Sequence, residues 1–302
     1  MRTRPFGKTG LNVSAVGFGV SGALATPLVS NSDVTRLVHA AVDMGINLFD
    51  TGPSYGDGTA EERLGAALEG VNRNKYILST KVGTFVGRLG RLQKDFSAKA
   101  IEDSVHQSLR RLKAEHIDVV FLHGPDAIYD ETYRALQDLK ISGKVGFVGV
   151  CGNGAELDEP IRNGQFDAMM MPFHMLSERP HRSRIQEASV RDLGILGFQS
   201  LAPLGELEEP KPVSKLSDLF YKAKAWLKPP EPLKRKGPLD FLEKHAGWTP
   251  AQLCLGYALS EPGLSSVLVN TTRLEHLKDC AAVVDRDLPQ NLGAQVEMAR
   301  FS

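Results

Sequence analysis

A parallel (β/α)8 barrel is the fold this sequence predicts, and three observations predict it. Eight short and almost wholly apolar runs recur along the 302 residues. Amphipathic stretches of helical length lie between them. The polar residues able to do chemistry fall at or just past the ends of the runs. Continuous apolarity suits strands buried on both faces, as parallel sheets demand. Strand followed by helix, repeated, gives right-handed crossovers around one sheet. The C-terminal ends of barrel strands are where such folds gather their sites. A doubly wound open sheet is the alternative, and the lack of any G-x-G-x-x-G between a strand and a helix weakens it.

In chain order, residues 3–13 (TRPFGKTGLNV) read as a hairpin with a glycine-containing turn. The candidate strands are 15–20, 46–50, 76–82, 117–123, 146–151, 167–173, 195–202 and 265–269. Helical patterns cover 32–44, 59–69, 97–113, 130–142, 181–193 and 249–260, the first starting at a Ser or Asp cap and stopped by Gly45. Residues 205–238 break the rhythm with a Pro- and Lys-rich stretch, in which 214–227 reads as a short amphipathic helix. A connection this long is either functional or without fixed structure, and a flap over the barrel mouth is the functional reading. The whole of 1–302 is expected to be one domain.

Composition narrows the function. Lys plus Arg and Asp plus Glu each number 36, so the net charge is zero, and nothing points to nucleic acid or an anionic membrane surface. The apolar fraction of 42% is enough for a large core. Cys151, Cys254 and Cys280 are an odd, widely spaced set that fits a reducing compartment and no disulfide framework. No signal peptide or membrane span is visible, so a cytoplasmic protein is expected. A barrel of this size can stand as a monomer. No strand carries H-x-H, which leaves a metal-dependent hydrolase with little support. Met169 to Met171 read as barrel packing, His181, Arg182 and Arg184 as a solvated face, and His174 as a pocket-lining or structural residue.

Four residues carry the chemistry. Asp50 ends the apolar run of GINLFDTGPSYG, and Tyr55 follows five residues later. Lys81 sits at the end of YILSTK, and His123 ends IDVVFLH. Each alone has an ordinary explanation: a turn cap, a loop aromatic, a solvated lysine, a structural histidine. At three successive strand ends they converge on one phenol. A cationic Lys81 held by Asp50 would pull the Tyr55 pKa down and make it a usable general acid.

These motifs resemble the aldo-keto reductase family. GINLFDTGPSYG resembles its Asp and Tyr signature, LSTKV its Lys strand and LHGPD its His strand; the opening GKTGLNVSAVGFG and the segment from TPAQLCLGYAL to SVLVN extend the likeness over nearly the whole chain. The resemblance implies catalytic roles for Asp50, Tyr55, Lys81 and His123, a hairpin covering the barrel bottom, and a small carbonyl or alcohol substrate. It also implies a nicotinamide dinucleotide lying across the barrel mouth, with Asp50 close to it. The nicotinamide contacts depart from the family pattern. Cys151 and Gly152 stand where Ser-Asn is usual, with Asn153 next, Met170 stands for a Gln, and Leu201 for a stacking Tyr. A small residue after strand five also occurs in sugar-dehydrogenase-like members. At the adenosine end, Thr271 and Thr272 open a helix suited to phosphate. Arg273 or Lys278 could pair with a 2′-phosphate, and His276 occupies the family's usual Arg position. NADP(H) is the preferred cofactor and NAD(H) the alternative. Two other readings stay open: a lyase forming a Schiff base on Lys81, and a non-catalytic nicotinamide-sensing protein.

Overall fold

The computed structural model describes residues 1–206 and 239–301. The strands are β1 (Thr3–Pro5), β2 (Asn12–Ser14), β3 (Val16–Gly19), β4 (Leu48–Asp50), β5 (Ile77–Val82), β6 (Thr84–Val86), β7 (Leu92–Lys94), β8 (Ile117–His123), β9 (Val145–Cys151), β10 (Ala168–Pro172), β11 (Gly194–Phe198) and β12 (Ser266–Val269). Eight of them close a barrel in the order β10, β11, β12, β3, β4, β5, β8, β9. Every pairing in the ring is parallel, and β12 closes it onto β3 with Val267 opposite Val16 and Val269 opposite Phe18. This is the predicted (β/α)8 barrel.

The helices begin where the sequence supplies caps. Ser30 accepts from the Asp33 amide at the start of α1 (Asn31–Asp43). Thr59–Leu68 forms α2. Ser97 accepts from the Ala100 amide and opens α3 (Ala98–Leu112). Asp130–Ile141 is α4, Asp158–Asn163 is α5 and Arg179–Val190 is α6. Thr249 and Gln252 form a reciprocal capping box, with Pro250 in the first turn of α7 (Pro250–Leu259). Leu274–Ala282 and Leu292–Phe301 are α8 and α9.

Two apolar layers line the barrel wall, and a separate cluster joins α7, α9, Met175 and Leu239 beside them. One layer lies between the strands and the surrounding helices. The other fills the barrel's inside, running from Phe6 and Val13 through Leu48, Val119 and Phe121 up to Cys151 and Met170. Phe6 is fully buried, carried there by the β1–β2 hairpin, so the hairpin plugs the bottom as expected. Cys151 and Met170 form the top of this stack, directly under the site.

One expectation needs correction, and two elements had not been predicted. Strand seven ends at Phe198 and not at 202, because Gln199 adopts a left-handed conformation at φ 60° that turns the chain. Leu201 therefore stands in a turn and not on a strand. The segment after β5 is no simple loop: β6 and β7 make an antiparallel hairpin of their own. Helix α5, at six residues, was not anticipated. The expected helix at 214–227 and most of the 205–238 segment lie outside the described residues.

Candidate active site

The strand ends deliver the four predicted residues to one place. Asp50 is the last residue of β4 and pairs in register with Ser79 on β5. Strand side chains alternate, so Ser79 and Lys81 share a face with the Asp50 carboxylate. The Ser79 hydroxyl donates to Asp50 Oδ1 at 2.8 Å. Lys81 Nζ donates to Asp50 Oδ2 at 2.5 Å and to the Thr51 carbonyl at 2.8 Å. Both charged groups are buried.

Tyr55 reaches this centre through a tight turn after β4. Its amide donates to the Gly52 carbonyl at 3.1 Å. Gly56, next in the chain, has φ 63°, and a Cβ there would come within 2.4 Å of the Ala25 carbonyl oxygen, so only glycine lets the turn close. The Tyr55 ring centroid lies 5.0 Å from Lys81 Nζ and 6.1 Å from the His123 ring, which it meets edge-on. One phenol thus has an ammonium and an imidazole beside it.

The electrostatics partly reverse the sequence expectation. Burial raises the Tyr55 pKa, and although the Lys81 charge pulls it down, the net direction is up from the ordinary value. The phenol is therefore a proton carrier at neutral pH. Burial opposes the Lys81 charge, but Asp50 and Tyr55 outweigh it, and the Lys81 pKa is raised. A permanently charged, doubly anchored ammonium is a poor Schiff-base nucleophile, which needs a free amine. Burial, then the charges of Lys81 and Lys94, lowers His123 to about 4, so its ring is neutral. His123 Nδ1 is buried without a partner. Sealing a bare nitrogen costs less than orphaning an N–H, so the favoured tautomer carries its proton on Nε2.

Around this centre opens a cleft of about 1870 Å³. It runs from Tyr55, Lys81 and His123 to the turn after β12, where Thr271, Thr272, Arg273 and His276 line it. Of the residues singled out for cofactor contact, all but Lys278 border the cleft, though not equally. Cys151 is buried at the end of β9, and burial pushes its thiol up to about 12, which leaves it protonated and unreactive. The Gly152 amide is engaged with the Met170 carbonyl at 3.0 Å. Asn153 is exposed, its amide donating to Glu156 Oε1 at 2.6 Å. Leu201 lines the cleft from its turn, beside Phe198 and Ser200. Thr271 Oγ1 accepts from the Arg273 amide at 3.1 Å just before α8.

Sequence reasoning missed several contributors. Ser79 was legible in principle, since period two puts it on the face of Lys81. Glu61 was hidden: fully buried on α2, it accepts from Thr80 at 2.7 Å and from Arg111 at 3.1 Å, fixing the strand that carries Lys81. Asn270 donates to the Gly19 and Ser21 carbonyls, both at 3.0 Å, and so ties the mouth ends of β12 and β3 together. Lys94, on the β6–β7 hairpin, pairs with Asp126 after β8 at 2.7 Å and draws that hairpin over the cleft.

The sequence profile of the aldo/keto reductase family matches residues 16–299. The chain belongs to the aldo-keto reductase family. It is 30% identical over 296 residues to L-galactose dehydrogenase of Arabidopsis thaliana, covering 93% of this chain and 87% of that protein. Among solved structures it is similar to the glycerol dehydrogenase of Gluconobacter oxydans, at 25% identity and a TM-score of 0.78 over 98% of this chain and 94% of that one. An aldo/keto reductase from Klebsiella pneumoniae, solved in complex with NADP and acetate, shares the fold at 22% identity and a TM-score of 0.76, over 100% of this chain and 96% of that one. This aldo-keto reductase has, among its described residues, no cluster of three or more His, Cys, Asp or Glu fit for a metal ion. Nor is any described helix long and apolar enough to cross a membrane.

Proposed function

We propose that this aldo-keto reductase interconverts a carbonyl and an alcohol on a small molecule, with Tyr55 giving and taking the proton. The observation that carries the reading is the buried Lys81 ammonium, held by two oxygens and 5.0 Å from the Tyr55 ring, with His123 meeting the same ring edge-on. The cleft suits a nicotinamide dinucleotide. Met170, Phe198 and Leu201 offer an apolar wall at one end, and the Thr271–Thr272 turn opens a helix at the other. When bound, that group supplies the hydride chemistry no side chain has. The chain's residues do the rest. The Nε2–H of His123 orients the carbonyl oxygen. The Tyr55 hydroxyl protonates that oxygen, and the resulting phenolate is stabilised by the Lys81 charge. Asp50, Ser79 and the Thr51 carbonyl keep Lys81 in place.

The pH dependence follows from the two shifted groups. His123 is lowered to about 4, so its ring stays neutral above that pH. Tyr55 is raised, so it stays protonated past its ordinary value of about 10. Carbonyl reduction is expected to hold level between these limits and to fall as pH climbs through the phenol. Alcohol oxidation needs the phenolate and is expected to rise over that same climb. Initial rates measured in both directions check this; a reduction rate that declines between pH 6 and 8 would mean another group titrates.

NADP(H) is the proposed cofactor, supported by Arg273 in the turn before α8 and by the NADP complex of the Klebsiella pneumoniae relative. Fluorescence titration with NADPH and NADH tests it. Arg273→Ala is expected to weaken NADPH by roughly 10- to 150-fold, the effect of one charge-assisted hydrogen bond, and to spare NADH. Equal weakening of both cofactors would make Arg273 a support of the turn. Tighter NADH binding by the unaltered protein would move the assignment to NAD(H), and no response to either cofactor would remove the oxidoreductase reading.

A further inference from the structure

We propose that His174 is a specificity-determining residue that donates a hydrogen bond to a substrate hydroxyl away from the reacting oxygen. This rests on the oxidoreductase reading above and concerns the same site.

His174 lies two residues past the end of β10 and lines the same cleft as Tyr55, Lys81 and His123. Its ring repeats the disposition of His123. Nδ1 is buried and has no partner, so the ring meets the cleft along its other edge. No described group bonds either ring nitrogen. Burial, helped by the charges of His181 and Arg300, lowers its pKa to about 4, and the ring is neutral. The tautomer argument is the same as before: an orphaned N–H inside is costlier than a bare nitrogen, so the proton sits on Nε2. The cleft thus has two neutral N–H donors, one for the reacting oxygen and one for another oxygen of the same molecule.

The loop is built to hold that donor still. The His174 amide donates to Ser177 Oγ at 2.9 Å, and the Ser177 amide returns a bond to the His174 carbonyl at 2.8 Å. Arg300 of α9 donates through Nε to the next carbonyl, that of Met175, at 2.8 Å. Arg182 of α6, which the sequence placed on a solvated face, turns instead to the Tyr257 hydroxyl, where Arg300 also donates at 3.3 Å. Arg300 therefore ties the loop to α9, and through the Tyr257 hydroxyl to α7 and α6, while the His174 imidazole bonds no described group.

Charge decides between hydroxyl and carboxylate as the partner. At the reacting end, Lys81 is engaged by Asp50 and Lys94 by Asp126. Both histidines are neutral. Glu156 lines the cleft there with negative charge. Among the described lysines at that end, a carboxylate finds none without a carboxylate partner, whereas a hydroxyl finds a donor.

Three four-carbon aldehydes test the proposal: erythrose, butanal and succinic semialdehyde, with kcat/KM measured for the unaltered protein, His174→Leu and His174→Gln. The unaltered protein is expected to favour erythrose over succinic semialdehyde. Its ratio of erythrose to butanal is expected to fall roughly tenfold in His174→Leu, the worth of one hydrogen bond, mostly through KM, and to recover in part in His174→Gln, which keeps an N–H donor. An unchanged erythrose-to-butanal ratio in His174→Leu would overturn the assignment of His174, whether or not overall rates drop from a disturbed loop. Preference for succinic semialdehyde that is lost in His174→Leu would make the partner a carboxylate and overturn the hydroxyl assignment. Absence of turnover by the unaltered protein on all three, with NADPH and with NADH, would instead sink the oxidoreductase reading and this one with it.

Discussion

Tyr55→Phe is expected to lose carbonyl reduction by about 10²- to 10⁴-fold, the usual cost of removing a positioned general acid, while binding the cofactor nearly as before. The ring contacts survive the change: Phe keeps the edge-on meeting with His123 and the approach to Lys81, and only the hydroxyl goes. Single-turnover rates and cofactor titrations on the purified variant separate the two effects. Near-normal turnover would show that the proton comes from elsewhere, and His123 would be the next group to examine.

Lys81→Met carries two expected losses that can be told apart. Turnover falls by on the order of 10²-fold or more, since a fixed charge facing the developing phenolate is gone. Stability falls as well, by roughly 3–5 kcal/mol, because the Asp50 carboxylate is left buried without its partner. The double variant Asp50→Asn/Lys81→Met removes that stranded charge and is expected to regain much of the stability and none of the turnover. Thermal unfolding beside kinetics reads both. Borohydride added with substrate is expected to leave no adduct on Lys81, in keeping with its raised pKa; a stable adduct would replace the proton-transfer scheme with covalent chemistry.

How much of this was legible depended on depth and length. Asp50, Lys81 and His123 were readable because each closes an apolar run, and a parallel barrel converts that position into a shared place. The ring order followed from alternation alone. Leu201 was misplaced because the run continues past Phe198 in sequence while Gln199 turns the backbone, and a single dihedral leaves no mark in composition. The β6–β7 hairpin escaped notice because its strands are three residues each and flank the Gly- and Arg-rich stretch GRLGR, which reads as a loop. The direction of the Tyr55 shift was unreadable for a different reason. A lysine nearby is visible in a motif, but the burial that outweighs it is a property of the assembled mouth. His174 was seen as a pocket candidate, yet its neutrality belongs to burial in the assembled mouth and to charges that include Arg300 of α9, remote in the chain.

The seam between β3 and β12 has a consequence for how the protein comes into being. Asn270 and Gly19 are bonded across 251 residues of chain, so the ring cannot close until its last strand has been made. A ring lacking that strand would be a sheet with two open edges, each a template for unwanted pairing, and joining the ends is a contact of large sequence separation with a matching entropic cost. The turn that carries Thr271, Thr272 and Arg273 follows directly on that seam. A dinucleotide held there would recognise the closed ring and not the open sheet, and its concentration would then set how firmly the ring stays shut. In a cell short of the cofactor, the same chain would be not only idle but easier to unfold.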